Sequence, residues 1–221
     1  MQSFRDFFRP HVTIPQVPWR AQHRWDLNIT RVSILCLGLA IFGIGDAMLV
    51  ESMIGNAPWT VLAQGLSGIL KINLGTMTAI ISIFVLLLWI PLRERPGFGT
   101  LLNIIVIATF IQIGVDSIPA ANQLYEGVLY AFMGVAMVGL GSALYISVGL
   151  GPGPRDGAMT GIHRLTGIPI GRVRLAIELV VLTLGGLCGG RIGLGTAIFA
   201  LFIGQSIAIQ CGVLARLTRS T

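Results

Sequence analysis

"GLGPGPRDG", residues 149–157, places three glycines and two prolines directly behind an apolar run, then an Arg–Asp pair and a fourth glycine. A helix does not pass through such a stretch, because proline lacks the backbone N–H and glycine is entropically costly inside a helix. The same interruption occurs earlier in the chain. Slid by 96 positions, "GLAIFGIGDAMLVESMIGNAPW" (38–59) lies over "GVAMVGLGSALYISVGLGPGPR" (134–155). Gly38, Gly43, Gly45, Gly55, Pro58, Gly65 and Gly75 then meet Gly134, Gly139, Gly141, Gly151, Pro154, Gly161 and Gly171. Further on, Arg95, Gly97, Gly99 and Thr100 of "RPGFGT" meet Arg191, Gly193, Gly195 and Thr196 of "RIGLGT". Apolar composition produces scattered Leu and Ile matches, but not this series of Gly, Pro and Arg matches in one register. The chain is an internal duplication.

Of the 221 residues, 54% are hydrophobic and 11% charged. About six apolar runs approach the ~20 residues that cross ~30 Å of hydrocarbon. A helix that is apolar on every side for that length belongs in a membrane rather than a soluble core. The spans expected are 33–54, 74–92, 98–116, 127–147, 174–192 and 194–214. The first run is too long for a signal-peptide core and follows a charged arm, so it is not a leader. Cys36, Cys188 and Cys211 lie in apolar runs without metal or disulfide spacing. The net charge of +6 comes from cations flanking the spans, which argues for topology and against nucleic acid.

With the N-terminus inside, Lys71 and Arg191 alone among the 15 Lys and Arg residues fall outside. This bias places both termini in the cytoplasm. Each repeat holds three spans, an odd number, so the second copy enters with the opposite orientation. Arg191 is then the outer copy of cytoplasmic Arg95. The expected fold is an all-α polytopic membrane protein of six transmembrane helices in two inverted-topology repeats of three. Each repeat carries a broken helical segment, re-entrant or lying on the membrane surface, at 55–75 and 151–171. An interfacial arm (1–31) precedes repeat 1 (32–118) and repeat 2 (119–215), and a short tail (216–221) follows. Trp19 and Trp25 suit the arm to the headgroup level.

The Gly-rich first span, the breaks at Pro58–Trp59 and "GPGPRDG" and the "RPGFGT" segment resemble the YczE/YitT-like bacterial integral membrane proteins, most closely the YczE branch. The resemblance covers residues 32–215 and implies a six-span inner-membrane protein described as a transporter or permease. That branch usually has Pro-Trp-Asp at the first break, where this chain has Pro58-Trp59-Thr60.

Ionisable groups within spans are expensive and mark function or a buried pair. Asp46 stands out, near the centre of the first span behind "GIG"; its repeat mate is Ser142. Gly153 is expected to cap a half-helix starting at Pro154, since proline suits the first helical position. Its N-terminus would attract negative charge, from Asp156 itself or from a ligand that Arg155 also meets. The opposite break would offer the Trp59 ring. Gln205, mid-span after Gly204, completes the expected set of Asp46, Pro58, Trp59, Thr60, Pro154, Arg155, Asp156 and Gln205. Glu178 reads as an anchor paired with Arg174, and Asn103, Gln112 and Gln210 as interhelical hydrogen-bonders.

No His/Asp/Glu cluster has metal spacing, and "GLGPGP" lacks the ending of a phosphate loop, so neither metal, cofactor nor enzymatic activity is expected. The leading expectation is a small secondary transporter for a small polar or anionic metabolite bound near the midplane. The alternative is a non-transporting binding subunit, sensor or assembly factor. The bilayer and a small-molecule substrate are the expected partners, and a homodimer would help one small chain bury its polar segments.

Overall fold

A computed structural model describes residues 17–218. Arg5, Arg9 and His11 of the arm, and Arg219 of the tail, lie outside the described residues. The described chain is helical throughout, with no strand.

The first helix, α1 (Ile29–Glu51), is capped by Asn28, whose side chain accepts the Thr30 N–H. It ends where Met53 and Gly55 turn to φ 61° and 122°. A short helix follows, α2 (Pro58–Leu70), then α3 (Leu74–Leu87) with Asn73 as its cap. Pro91 ends regular winding at Leu87–Leu88 because it cannot donate to the carbonyl four residues back, leaving the single turn α4 (Trp89–Leu92). Next come α5 (Phe98–Ser117) and α6 (Leu124–Val148). The second short helix, α7 (Pro154–Thr166), is followed by α8 (Ile170–Leu187) and α9 (Leu194–Leu217). Five segments are long and apolar enough to cross a membrane: α1, Leu74–Leu92, α5, α6 and α9. The expected span 174–192 is shifted and less apolar: α8 starts at Ile170, stops before the left-handed Gly189, and carries Arg172, Arg174 and Glu178 in 18 residues.

At the centre, α1 and α6 cross on glycines. A Cβ built on Gly45 would lie 2.9 Å from the Gly134 carbonyl oxygen, and one on Gly134 2.6 Å from that of Gly45. The pair Gly38 and Gly141 repeats this one step along the crossing, at 3.0 and 2.5 Å. Close approach of this kind replaces the hydrophobic drive that lipid does not supply.

Contacts recur 96 positions on, with the halves exchanged. The Gly195 N–H donates to the Ile54 carbonyl at 2.9 Å, and the Gly99 N–H to the Leu150 carbonyl at 2.8 Å. Gly55 abuts Gly193 and Thr196, as Gly151 abuts Gly97 and Thr100. A Cβ on Gly65 would meet Cys188, and one on Gly161 would meet Leu92, so each short helix packs on the other half of the chain.

The described part of the arm, 17–28, folds over one end of the bundle. Ala21 N–H donates to the Val148 carbonyl at 2.8 Å, Phe98 N–H to that of Arg24 at 3.1 Å, and Trp19 Nε1 to Ser147 Oγ at 3.2 Å. Arg24 also donates to the Arg95 carbonyl. The arm therefore ties the end of α6 to the start of α5.

Candidate functional site

Both short helices begin as the sequence implies. Pro58 and Pro154 are their first residues, behind extended Ala57 and Gly153, and each helix is 13 residues long. Their N-termini converge, for the Arg155 guanidinium lies over the Trp59 ring, 5.0 Å from its centroid. Arg155 and Trp59 are repeat mates, so the duplication brings one pair of equivalent positions into contact with each other.

A cavity of about 280 Å³ opens at this meeting point. Asp46, Pro58, Trp59, Arg155 and Asp156 line it, and apolar walls come from Phe42, Val138, Phe199 and Ile203. Asp46 is 1% exposed. Thr60 Oγ1 donates to its Oδ2 at 2.8 Å, while Oδ1 has no hydrogen-bond partner among the described residues. Thr60, also buried, thus belongs to the site through Asp46. It occupies the position where the YczE branch usually has Asp. Here the hydroxyl donates to the Asp46 carboxylate.

Asp156, in the first turn of α7, accepts the Tyr145 hydroxyl at 2.5 Å rather than serving its own helix end. Arg174 Nε donates to Glu178 at 2.8 Å, the i,i+4 pair the spacing implies, and both also line the cavity. The structure records no hydrogen bond or ion pair for Arg155 among the described residues, so its in-plane N–H groups are free while Trp59 covers it. Pro154 stands just behind: its carbonyl accepts Trp89 Nε1 at 2.9 Å, and the Trp89 ring fills the space a side chain on Gly157 would need.

Gln205 is a correction. It is exposed on the outer side of α9 and takes no part in the cavity. The reason is helical register: Ile203 and Ile207, four apart, share the inner face, and a residue midway between them points roughly 200° away. Its repeat mate Thr109 is exposed on α5 in the same way. Gln112 behaves as expected, accepting the Gly75 N–H from α3 at 3.0 Å. Asn103 lines the cavity instead of bridging helices. Sequence reasoning missed Tyr145. Its signal was present, since it lies one turn beyond Ser142, the mate of Asp46, and so shares that residue's face.

No group of three or more His, Cys, Asp or Glu side chains among the described residues could hold a metal ion. What the geometry offers is a small cavity lined by opposite charges, an indole face and apolar walls.

Residues 29–211 match the family of unknown function DUF6198. The chain belongs to that family. It is 41% identical to an uncharacterized protein of Haemophilus influenzae over 204 residues, covering 92% of this chain and 94% of that one. The uncharacterized membrane protein YczE of Bacillus subtilis is 30% identical over 178 residues, 80% of this chain and 83% of its own length. The uncharacterized protein YyaS of Bacillus subtilis is 24% identical over 188 residues, 81% and 92% of the two chains. The YczE-like character read from the two breaks is borne out. No solved structure matches the chain. Apolar helices and the YczE relative agree that this is an integral membrane protein.

Proposed function

We propose that the protein is a small secondary transporter of the bacterial inner membrane, a carrier rather than an enzyme, with the cavity as its substrate site. The observation that carries this reading is the meeting of the two breaks, Trp59 against Arg155, at a cavity lined by the buried Asp46. In this reading α8 is the sixth crossing, and 32–118 and 119–215 are inverted repeats. The exchange of contacts between halves supports the duplication as a spatial symmetry. Thirteen residues span about 20 Å, too little to cross ~30 Å of hydrocarbon, which supports α2 and α7 as re-entrant helices from opposite faces. Broken helices at a repeat interface supply backbone dipoles to a substrate, and two equivalent gates around one site allow alternating access. The strong Lys/Arg bias supports cytoplasmic termini.

The test is flux into liposomes containing the purified protein alone, using pools of labelled small polar metabolites. Uptake above protein-free liposomes, abolished by Asp46→Asn, is the expected result. A folded protein that moves none of the pools would refute transport and leave a binding subunit, sensor or assembly factor as the reading.

A further inference from the structure

The cavity distinguishes between kinds of small polar ligand, and this step rests on reading it as a substrate site. Three carboxylates, Asp46, Asp156 and Glu178, and two guanidiniums, Arg155 and Arg174, face it. The N-termini of α2 and α7 each add roughly half a positive charge. The total is close to zero. A ligand of net charge would therefore leave an uncompensated charge at a buried site, which is costly.

Within that balance, two groups lack hydrogen-bond partners. Asp46 Oδ1 is buried and accepts nothing. Arg155 has its π-face on Trp59 and no recorded acceptor for its N–H groups. Glu178 and Arg174 pair with each other, and Asp156 takes the Tyr145 hydroxyl. The two unmet demands are opposite in kind. One is a carboxylate oxygen needing a cationic donor, and the other is a planar fork suited to a two-oxygen anion. The volume, about 280 Å³, lies at the small end of ligand sites, and Phe42, Val138, Phe199 and Ile203 offer it apolar walls.

We infer that the ligand is a zwitterion of amino-acid size with an apolar side chain, its carboxylate on Arg155 beside the α7 N-terminus and its ammonium on Asp46 Oδ1. Thr60 is a positioning residue: it holds Oδ2 and leaves Oδ1 as the open acceptor. Trp59 covers the guanidinium face and leaves its edge to the ligand.

The experiment is thermal unfolding of the purified protein titrated with matched probes. These are the apolar α-amino acids alanine, valine, leucine and phenylalanine, each beside its decarboxylated amine and its deaminated acid. For leucine the pair is isoamylamine and 4-methylpentanoate. At least one amino acid should raise the melting temperature in a saturable way, with its amine and acid each at least about tenfold weaker, as expected on losing one charge-assisted hydrogen bond. In Asp46→Asn the amino acid should lose its advantage over the matching acid. Arg155→Lys, which keeps the charge but loses the fork, should weaken the amino acid and acid together and spare the amine. An acid or amine that binds as well as its amino acid overturns the inference, as does the failure of all four amino acids to bind. Binding is read here without flux, so the two proposals can fail separately: saturable zwitterion binding with no transport sinks only the carrier, and anion flux without zwitterion binding sinks only this assignment.

Discussion

The two breaks share a backbone and differ in chemistry. Gly55 and Gly151 adopt φ 122° and 117°, Pro58 and Pro154 open helices of equal length, and Lys71 and Gly167 close them in left-handed geometry. The side chains set on this frame diverge. Trp59 and Thr60 on one side face Arg155 and Asp156 on the other, while Thr78 and Ser82 occupy the places of Arg174 and Glu178. Most of the charge sits on the second half, and Asp46 is the first half's contribution. The outward ends differ as well. Near the first break Gln64 Oε1 accepts from Asn56 Nδ2 at 2.9 Å and from the Arg191 N–H at 2.8 Å, whereas the second is overlaid by residues 17–28. A duplicated frame thus constrains positions where a Cβ would strike backbone, and leaves free those whose side chains reach the cavity.

The largest effect should come from breaking what the halves share. Gly45→Val and Gly141→Val are equivalent substitutions at the α1–α6 crossing, and in both the new atoms would face backbone of the partner helix within 2.9 Å. Backbone does not yield as a side-chain end does, so each should cost about 3 kcal/mol or more. Size-exclusion profiles in detergent should show loss of the monodisperse peak for both. If one variant folds normally, the crossing is less symmetric than its contacts indicate.

Glycine and proline made this shared frame legible in sequence. Those residues report backbone geometry directly, so the register, the start of both short helices and the strained turns could be read without tertiary information. The site was partly legible for a similar reason: Asp46, Arg155 and Asp156 are charges where charge is costly, and the break supplied Trp59 and Thr60. Gln205 misled because polarity within a span does not state which face it occupies, and Ile203 and Ile207 hold the inner face there. The arm's docking was not readable. It depends on backbone groups of Ala21 and Arg24 reaching Val148 and Phe98, which no local pattern encodes. Span 174–192 was displaced because its apolar run continues past Leu187, where the helix ends ahead of the left-handed Gly189, the mate of the left-handed Arg93.

A smaller effect would sharpen the contrast at the cavity. Arg155 and Trp59 are mates that touch, so a double-mutant cycle of Trp59→Leu and Arg155→Met should return a coupling of about 0.5–2 kcal/mol in thermal unfolding. Additive single effects would mean that the guanidinium and the ring do not recognise each other. Smaller again, Trp19→Phe removes one donor to Ser147 and should cost about 1 kcal/mol. A cysteine placed at Leu150 should then label faster, and one at the equivalent Ile54 should not. Equal changes at both would contradict a arm specific to the second break.

The arm also carries a pH dependence of its own. Asp26 accepts the Gln22 backbone N–H at 2.9 Å and pairs with Arg31 at 2.6 Å. The Gln22 N–H foremost, then the positive charge of Arg31, holds its carboxyl below the ordinary aspartate range. A depressed folded value means that the unfolded arm takes up the proton first. The stabilising contribution is therefore complete above about pH 4, the usual aspartate value, and is lost as pH falls through the lower folded one. The Asp26 side chain keeps 24% of its surface in solvent, so the effect should be modest and confined to the arm. A dye attached at Gln22→Cys should report loosening on acidification below about pH 4, while helix content by circular dichroism stays constant. Asp26→Asn should leave the dye signal flat across the same range. A step that survives in that variant would assign the acid response to another group, and the two ends of the molecule would no longer differ through Asp26.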